Sequence, residues 1–575
     1  MAGRIVVLIA VLLLASSCSD RSAGQPDSQP TSASETPIPS ESSPAPTANP
    51  TAVATTPEPP APTEAPTTTA VPESTATPEP TAAPTPTATP EPTPAPEPTE
   101  APTPTPTPEG TPTPEPIGDD RECSPQVPDD FRLSTTDLAP ASVQITQAAY
   151  SCAHEVGIAL ARDHAAIATL ASRGVNGPLL LLESWFEPAF MAELGRLAPQ
   201  VVVVAGFEEQ VLDTSLADFE FELMSVDEEA TVPPSEGSSD RIWLVGDDAP
   251  VATLTALGAP IGARAVIVGG DLRALPPETM EMILGASQVE VLSDLGEDAD
   301  WQLAVVLRGD ELPGGGWLMF DAGFNRRLVA MYGHPSTPGL GVLGEQDAEE
   351  GVERLQTIAE GYDADGAVIL PTFEIIATVA SAGPGEDGDY SAETTRAEIR
   401  PWVETAAAND MYVVLDLQPG RTDYLTQAKI YEEFLRLPNV GLALDPEWRL
   451  KPNEVHLRQI GTVDAEEINQ VVEWLAGIVR EEALPQKLLI LHQFRLQMIT
   501  NRHLVETPPE LAVLVHMDGQ GPVRDKINTW NLLTRQPDAG QFYWGWKNFF
   551  DEDFTIATPD QVLELTPTPL LVSFQ

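Results

Sequence analysis

VGLALDPEW, residues 440–448, is an apolar run that stops abruptly at two carboxylates one residue apart. The run reads as a buried strand with chemistry at its tip. Side chains alternate along a strand, so Asp445 and Glu447 are expected on one side, about 7 Å apart along the chain. Seven further apolar runs share its length and character: Leu328–Tyr332, Ala367–Leu370, Tyr412–Leu415, Leu488–Leu491, Ala512–Val515, Phe542–Trp544 and Leu570–Ser573. Helical patterns lie between them, at Ala392–Ala408, Gln427–Arg436 and Ala465–Glu482. Eight strands with mostly helical connections in about 250 residues specify a (β/α)8 barrel over 325–575, ending on its eighth strand without a closing helix.

Such barrels present their working groups at the C-terminal ends of the strands. The residue after each apolar run is therefore informative. Strand one offers Tyr332 and His334, strand two Thr372 and Glu374, strand three Asp416 and Gln418, and strand four Asp445 and Glu447. Strand five offers His492 and Gln493, strand six His516 and Asp518, and strand seven Trp544, Trp546 and Lys547. The acidic run Asp551, Glu552 and Asp553 reads as a solvated loop.

Upstream, residues 118–320 alternate short apolar runs with Ala- and Leu-rich helical patterns, which predicts an α/β layer structure. Strands are expected at Pro178–Leu182, Val201–Ala205, Ile242–Val245, Ala265–Gly269 and Val289–Leu292. Two segments look alike, one beginning ALARDHAAIATLASRGVNGPLLLL and the other TLTALGAPIGARAVIVGG. Each reads as a small-residue helix, a buried strand, a helix and another strand. The first resembles the cell-wall-binding repeat 2 family in its Ala-rich helix at Ala159–Ser172, its GPLLLL strand, the helix ending AELGRLAP, and VVVVAGFEEQV. Ala205-Gly206 and Cys152-Ala153 stand where family members usually carry VGG and an Asp-Ala pair. The resemblance implies attachment to wall polymer; an α/β scaffold without a ligand is the alternative.

The 59 prolines fall so unevenly that the globular length is much shorter than 575 residues. Residues 1–18 carry a basic start at Arg4, an apolar core from Ile5 to Ala15, small residues and Cys18, the pattern of a secretory signal. Ala15-Ser16-Ser17-Cys18 resembles the lipobox of bacterial lipoproteins, which implies a lipidated Cys18 and a membrane anchor facing the cell wall or the outside. Residues 19–117, rich in Pro, Thr and Glu, cannot bury a core and are expected to be a disordered stalk of roughly 200–300 Å in extended polyproline geometry. In an exported protein the two remaining cysteines, Cys123 and Cys152, are expected to pair. With 87 acidic against 30 basic residues, a formal charge of -57, sequence-nonspecific binding to nucleic acid or to anionic lipid is not expected.

Hydrolysis of a glycosidic bond needs a proton donor and a second carboxylate, and clustered acids supply both because neighbouring carboxylates resist ionising together. Glu447, with the longer reach, is the expected general acid, tuned by Asp445. Asp416 or Glu374 would be the other catalytic carboxylate, and His492, His516 and Asp518 complete the catalytic set. Trp448, Trp544 and Trp546 are expected to stack on sugar rings, with Tyr332, His334, Gln418, Gln493 and Lys547 as polar contacts.

VGLALDPEW also resembles the fourth-strand signature of family 18 glycoside hydrolases at Gly441, Asp445 and Glu447, with Ala443 where that family has its first acid. A fourth-strand Asp-x-Glu is similar to that of family 25 lysozymes as well. These resemblances imply a carbohydrate-active barrel whose partner is a cell-wall polymer or extracellular polysaccharide; no cofactor and no metal ligand is assigned from the sequence, which leaves metal dependence open. Two alternatives stay open. One is a non-catalytic wall-binding surface protein. The other is a metal-dependent hydrolase using His492 and His516 with Asp518 or Asp445; the amidohydrolase arrangement resembles this at strands five and six, though strand one here carries only His334.

Overall fold

Eight parallel strands close on themselves in chain order, and they are the eight expected from the sequence. The structure is a computed structural model that describes residues 123–184, 186–232, 240–320 and 325–575. The expected signal, with Cys18, and the expected stalk lie outside the described residues. From first to eighth the barrel strands are Arg326–Gly333, Val368–Ala380, Tyr412–Leu417, Val440–Leu444, Lys487–His492, Leu511–Met517, Tyr543–Asn548 and Leu571–Phe574. Closure is made by the eighth strand pairing with the first, Leu571 opposite Leu328. The fold class is therefore α/β with a TIM-like barrel.

Alternation along each strand sends one set of side chains inward and the other under the helices. Leu328, Ala330, Leu370, Tyr412, Val414, Leu488, Ile490, Leu514 and Leu571 fill the barrel itself. Val329, Phe373, Val413, Leu442, Leu489 and Val513 face the helical layer, where Trp402, Phe434 and Leu475 cover them. Gly441 belongs to the inner set and makes room for Tyr412: a Cβ there would meet Leu488 O at 2.6 Å and the Tyr412 hydroxyl at 3.0 Å. The barrel's lower end is closed by Leu312, Met319 and Phe320 from the chain preceding the first strand. That plug is pinned by backbone and side chain of Gln486, which donates to Trp317 O at 2.8 Å and accepts from Met319 N at 3.0 Å.

Two strands depart from their sequence reading. The second continues past Pro371 to Ala380 and folds back to pair antiparallel with Ser391–Glu393. Thr372 and Glu374 therefore lie within it, not beyond its end; proline lacks an N–H but does not end a strand where a neighbour can do without that donor. The fourth stops at Leu444. Pro446, with its fixed φ, opens a single 3-10 turn, Pro446–Trp448, capped by Asp445, whose carboxylate accepts from Glu447 N at 3.2 Å. Asp445 and Glu447 are thus not alternate positions of an extended strand.

The preceding region holds two parallel sheets. One is four-stranded, with Glu155–Leu160 between Leu179–Leu182 and Val201–Ala205, and Phe221–Met224 at the edge. The other places Arg241–Val245 between Ala263–Ile267 and Gln288–Val291. In both, the strand that comes first in sequence is central, so the sequence likeness reflects a repeated topology. The strand Glu155–Leu160 corrects the expected helix over Ala159–Ser172: the helix starts only at His164, capped by Asp163, which accepts from Ala166 N at 3.0 Å. The corresponding helices of the two repeats, His164–Arg173 and Val251–Gly258, meet, with His164 Nδ1 3.0 Å from Thr253 Oγ1. Cys123 and Cys152 form a disulfide, as expected.

This lobe is fastened to the barrel. Trp301 lies between the guanidinium groups of Arg273 and Arg480, each 4.6 Å from its ring. Arg480, on the barrel helix Ala465–Glu481, pairs with Asp298 of the lobe and with Glu510 of the barrel. Among the described residues no helix is long and apolar enough to cross a membrane.

Candidate active site in the barrel mouth

Every strand sends one polar side chain into the upper part of the barrel: Tyr332, Glu374, Asp416, Asp445, His492, His516, Lys547 and Ser573. All are 3% exposed or less, so their charges must be answered by one another or by a ligand. His492 is the hub. Its Nε2 lies 2.9 Å from Glu374 Oε1 and its Nδ1 2.9 Å from Asp518 Oδ2. The Tyr332 hydroxyl donates to Asp416 Oδ2 at 2.8 Å and accepts from Gln418 Nε2 at 3.2 Å. His516 Nε2 sits 3.2 Å from Ser573 Oγ, and the Lys547 ammonium lies 3.4 Å above the Tyr332 ring.

Above this layer opens a cavity of about 720 Å³. Asp445, Glu447, Asp518 and Lys547 reach it, and Trp448, Phe494 and Phe549 form much of its apolar wall. Tyr332 and Gln418 line it too. Glu374, Asp416, His492 and His516 stand beneath, fully buried.

Burial and the environment sort the acids into two kinds. Burial, reinforced by the Asp518 charge, pushes the Glu447 carboxyl up to about 7. Burial also raises Asp445 well above the carboxylate range, with Asp416 and the other nearby acids acting in the same direction. Asp416 rises to about 6, mainly through burial. Burial acts on Glu374 and Asp518 likewise, yet the hydrogen bonds from His492 outweigh it and hold both below the ordinary range. His492 is the converse case: burial disfavours its charge, but Asp518 and Glu374 raise it well above an ordinary histidine. Burial drives His516 down to about 3, so it is a neutral imidazole. At neutral pH the cavity thus contains a carboxyl able to give a proton, Glu447, and a carboxylate held ionised, Asp518.

Of the residues expected from sequence, the structure gathers Glu447, Asp445, Asp416, Glu374, His492, His516, Asp518, Tyr332, Gln418, Trp448 and Lys547. It does not bring Trp544, Trp546, His334 or Gln493 to the cavity. Trp544 and Trp546 are outward-facing neighbours of inward-facing Gly545 and Lys547, packed beneath Trp530. Trp546 Nε1 is spent on Asn548 Oδ1 at 2.9 Å. These two cannot stack on sugars from the helical side of the wall. His334 lies 2.9 Å from Thr394 Oγ1, and Gln493 accepts from Arg502 at 2.7 Å in a buried support. Asp553 corrects the reading of a solvated loop: its carboxylate takes hydrogen bonds from Gly521 N at 2.8 Å and Phe549 N at 3.0 Å, and pairs with buried Lys526 at 2.5 Å. It ties together the loops that follow strands six and seven.

Arg495, Ser573, Phe494 and Phe549 are not among the residues to which the strand ends point. Ser573 was legible as the inward position of strand eight, whereas Arg495 is in a loop and carries no periodic signal.

Among the described residues three groupings have ligand atoms within 4.8 Å of one another, close enough for a metal ion, and two of them lie in the barrel mouth: Glu374, His492 and His516, and Asp445, His492 and Asp518. Four buried atoms at this level have no hydrogen-bond partner among the described residues: Glu374 Oε2, Asp416 Oδ1, His516 Nδ1 and Asp518 Oδ1. His492, by contrast, has both nitrogens engaged by carboxylates. No protein-family model matches the chain, and the search of curated proteins returned no match.

Proposed function

We propose that the chain is a cell-surface lipoprotein whose barrel hydrolyses glycosidic bonds in a cell-wall or extracellular polysaccharide. The observation that carries this reading is Glu447, a carboxyl pushed up to about 7 at the wall of a 720 Å³ cavity that also holds ionised Asp518. A proton donor at neutral pH beside a carboxylate is what cleavage of an acetal requires. Glu447 gives its proton to the leaving oxygen. Asp518, oriented by His492, either attacks the anomeric carbon or takes a proton from the attacking water. Asp445 stays protonated and spares Glu447 a neighbouring negative charge. Glu374 and Asp416, sealed beneath, are positioning residues that fix His492 and Tyr332. Trp448, held against His456 at 5.0 Å between ring centres, offers a flat face for a sugar. The repeat lobe, if it grips wall polymer, keeps substrate near this mouth at raised effective concentration.

The test is release of reducing ends by the full-length protein from peptidoglycan, chitin and α- and β-glucans, with Glu447→Gln alongside. The substitution keeps the shape and removes the proton, so activity is expected to fall by about 10²-fold or more. Wild-type protein that binds walls as well as Glu447→Gln but cleaves nothing would instead be a non-catalytic wall-binding protein. A second reading, a metal-dependent hydrolase, is favoured by the four unpartnered buried atoms, all of them metal-ligand types. Stoichiometric zinc, manganese or iron surviving dialysis against a chelator would select it.

A further inference from the structure

Cations are scarce in this chain, 30 against 87 acids, and most described arginines are committed to carboxylates. Arg327 holds Asp365 at 2.6 Å, Arg502 holds Asp538 at 2.8 Å, and the buried Lys526 holds Asp553 at 2.5 Å. The two cations that line the cavity are different. Lys547 is 3% exposed, and among the described residues its ammonium makes no contact ion pair and donates no hydrogen bond; it rests on the faces of Tyr332, at 3.4 Å, and Phe549, at 5.2 Å, and its charge acts on Glu374, Asp416, Glu447 and Asp518 only at longer range. Arg495, which also lines the cavity, packs on Phe494 at 5.6 Å and makes no contact ion pair among the described residues, its charge acting on Glu447 at longer range. An ammonium that opens only onto the cavity, with its three N–H groups unpaired in the protein, presents them to whatever occupies that space.

We infer that the cavity binds a glycan carrying an oxyanion, a sugar carboxylate or a phosphodiester, which Lys547 and Arg495 receive beside Glu447. This rests on reading the cavity as a saccharide site and names the class of saccharide. The cationic pair does two things at once. It supplies hydrogen bonds ionised at both ends, which a neutral glycan cannot make. It also gives Lys547 a countercharge inside the cavity, where a neutral sugar can offer only hydroxyl oxygens. The field outside the cavity is strongly negative, so an anionic polymer gains nothing from the rest of the surface, and selection for it must come from these two groups.

The experiment uses matched oligosaccharides differing only in charge: oligogalacturonate against its carboxyl-reduced counterpart, and a glycerol-phosphate polymer as the phosphodiester arm. Binding is measured by calorimetry and cleavage by reducing ends, for wild type, Lys547→Met and Arg495→Gln. The expected result is preference for an anionic ligand by about tenfold or more in Kd or kcat/KM, weakened by salt, with the preference collapsing in both variants. Whichever anionic arm shows it identifies the oxyanion. Anionic ligand bound in a Lys547-dependent way but never cleaved would leave this inference standing and sink the glycosidase reading. Equal handling of charged and neutral ligands, with cleavage intact, would do the reverse. Binding of neither ligand overturns the inference, as does an unchanged preference in both variants; in the latter case Lys547 is only a counter-ion for the carboxylate layer. Arg495 is exposed, so its variant keeps the test valid should Lys547→Met fold poorly.

Discussion

Replacing Glu447 by Gln is expected to stabilise the protein, and only above acidic pH. In the unfolded chain this carboxyl titrates at an ordinary 4.5, whereas burial and Asp518 hold it at about 7 in the fold. The folded state therefore binds more protons between those two values, and stability falls as pH rises through that window. A gap of this size corresponds to roughly 3 kcal/mol between protonation states. Because the side chain is partly exposed at the cavity wall, solvent screens it, and a penalty of about 1–2 kcal/mol is the working figure. Gln is neutral throughout and escapes it. Urea unfolding followed by tryptophan fluorescence, at about pH 4.5 and about pH 8, would give the difference between the two proteins. Titration of Glu374, His492 and Asp518 is common to both and cancels. The variant should equal wild type at the lower pH and exceed it by about 1–2 kcal/mol at the higher. A pH-independent gap, or a wild type that is the more stable at about pH 8, would refute the assignment of Glu447 as a carboxyl held protonated by its site.

Two other outcomes are expected. Lys526→Met strands Asp553 in the interior without its ammonium and should cost about 3–5 kcal/mol in the same unfolding assay; a loss below about 1 kcal/mol would mean that the backbone amides alone satisfy the carboxylate. Trp448→Ala should weaken retention on a polysaccharide gel, whereas Trp546→Phe, under the helical layer, should lower Tm and leave retention as it was. Equal effects on retention would place the sugar on the wrong side of the barrel wall.

The barrel was legible because its strands are short apolar runs flanked by polar residues, and the polar residue after each run marked the mouth. Period-two alternation separates Lys547, which points inward, from Trp546, which cannot do so on the same strand. Counting every polar or aromatic residue near a strand end merged the two faces. The exact geometry of Asp445 and Glu447 was hidden by Pro446, whose fixed φ turns an apparent strand into a helical turn. Glu155–Leu160 was hidden by its continuity with the alanine-rich stretch that follows, where only Asp163 marks the change. The ion pair of Lys526 with Asp553 spans 27 residues and two loops, and local composition gives no sign of it.

The plug of Leu312, Met319 and Phe320 bears on how such a chain can be inherited or dismantled. It enters the barrel from before the first strand, so the hereditary unit of the barrel begins upstream of that strand. Recombination or proteolysis that cut at residue 325 would leave a cup without its base, exposing Leu328, Leu370 and Leu488 from below. The connecting chain that leaves the repeat lobe is thus also the stopper of the vessel, and a cut that keeps the barrel whole has to fall between Arg308 and Leu312.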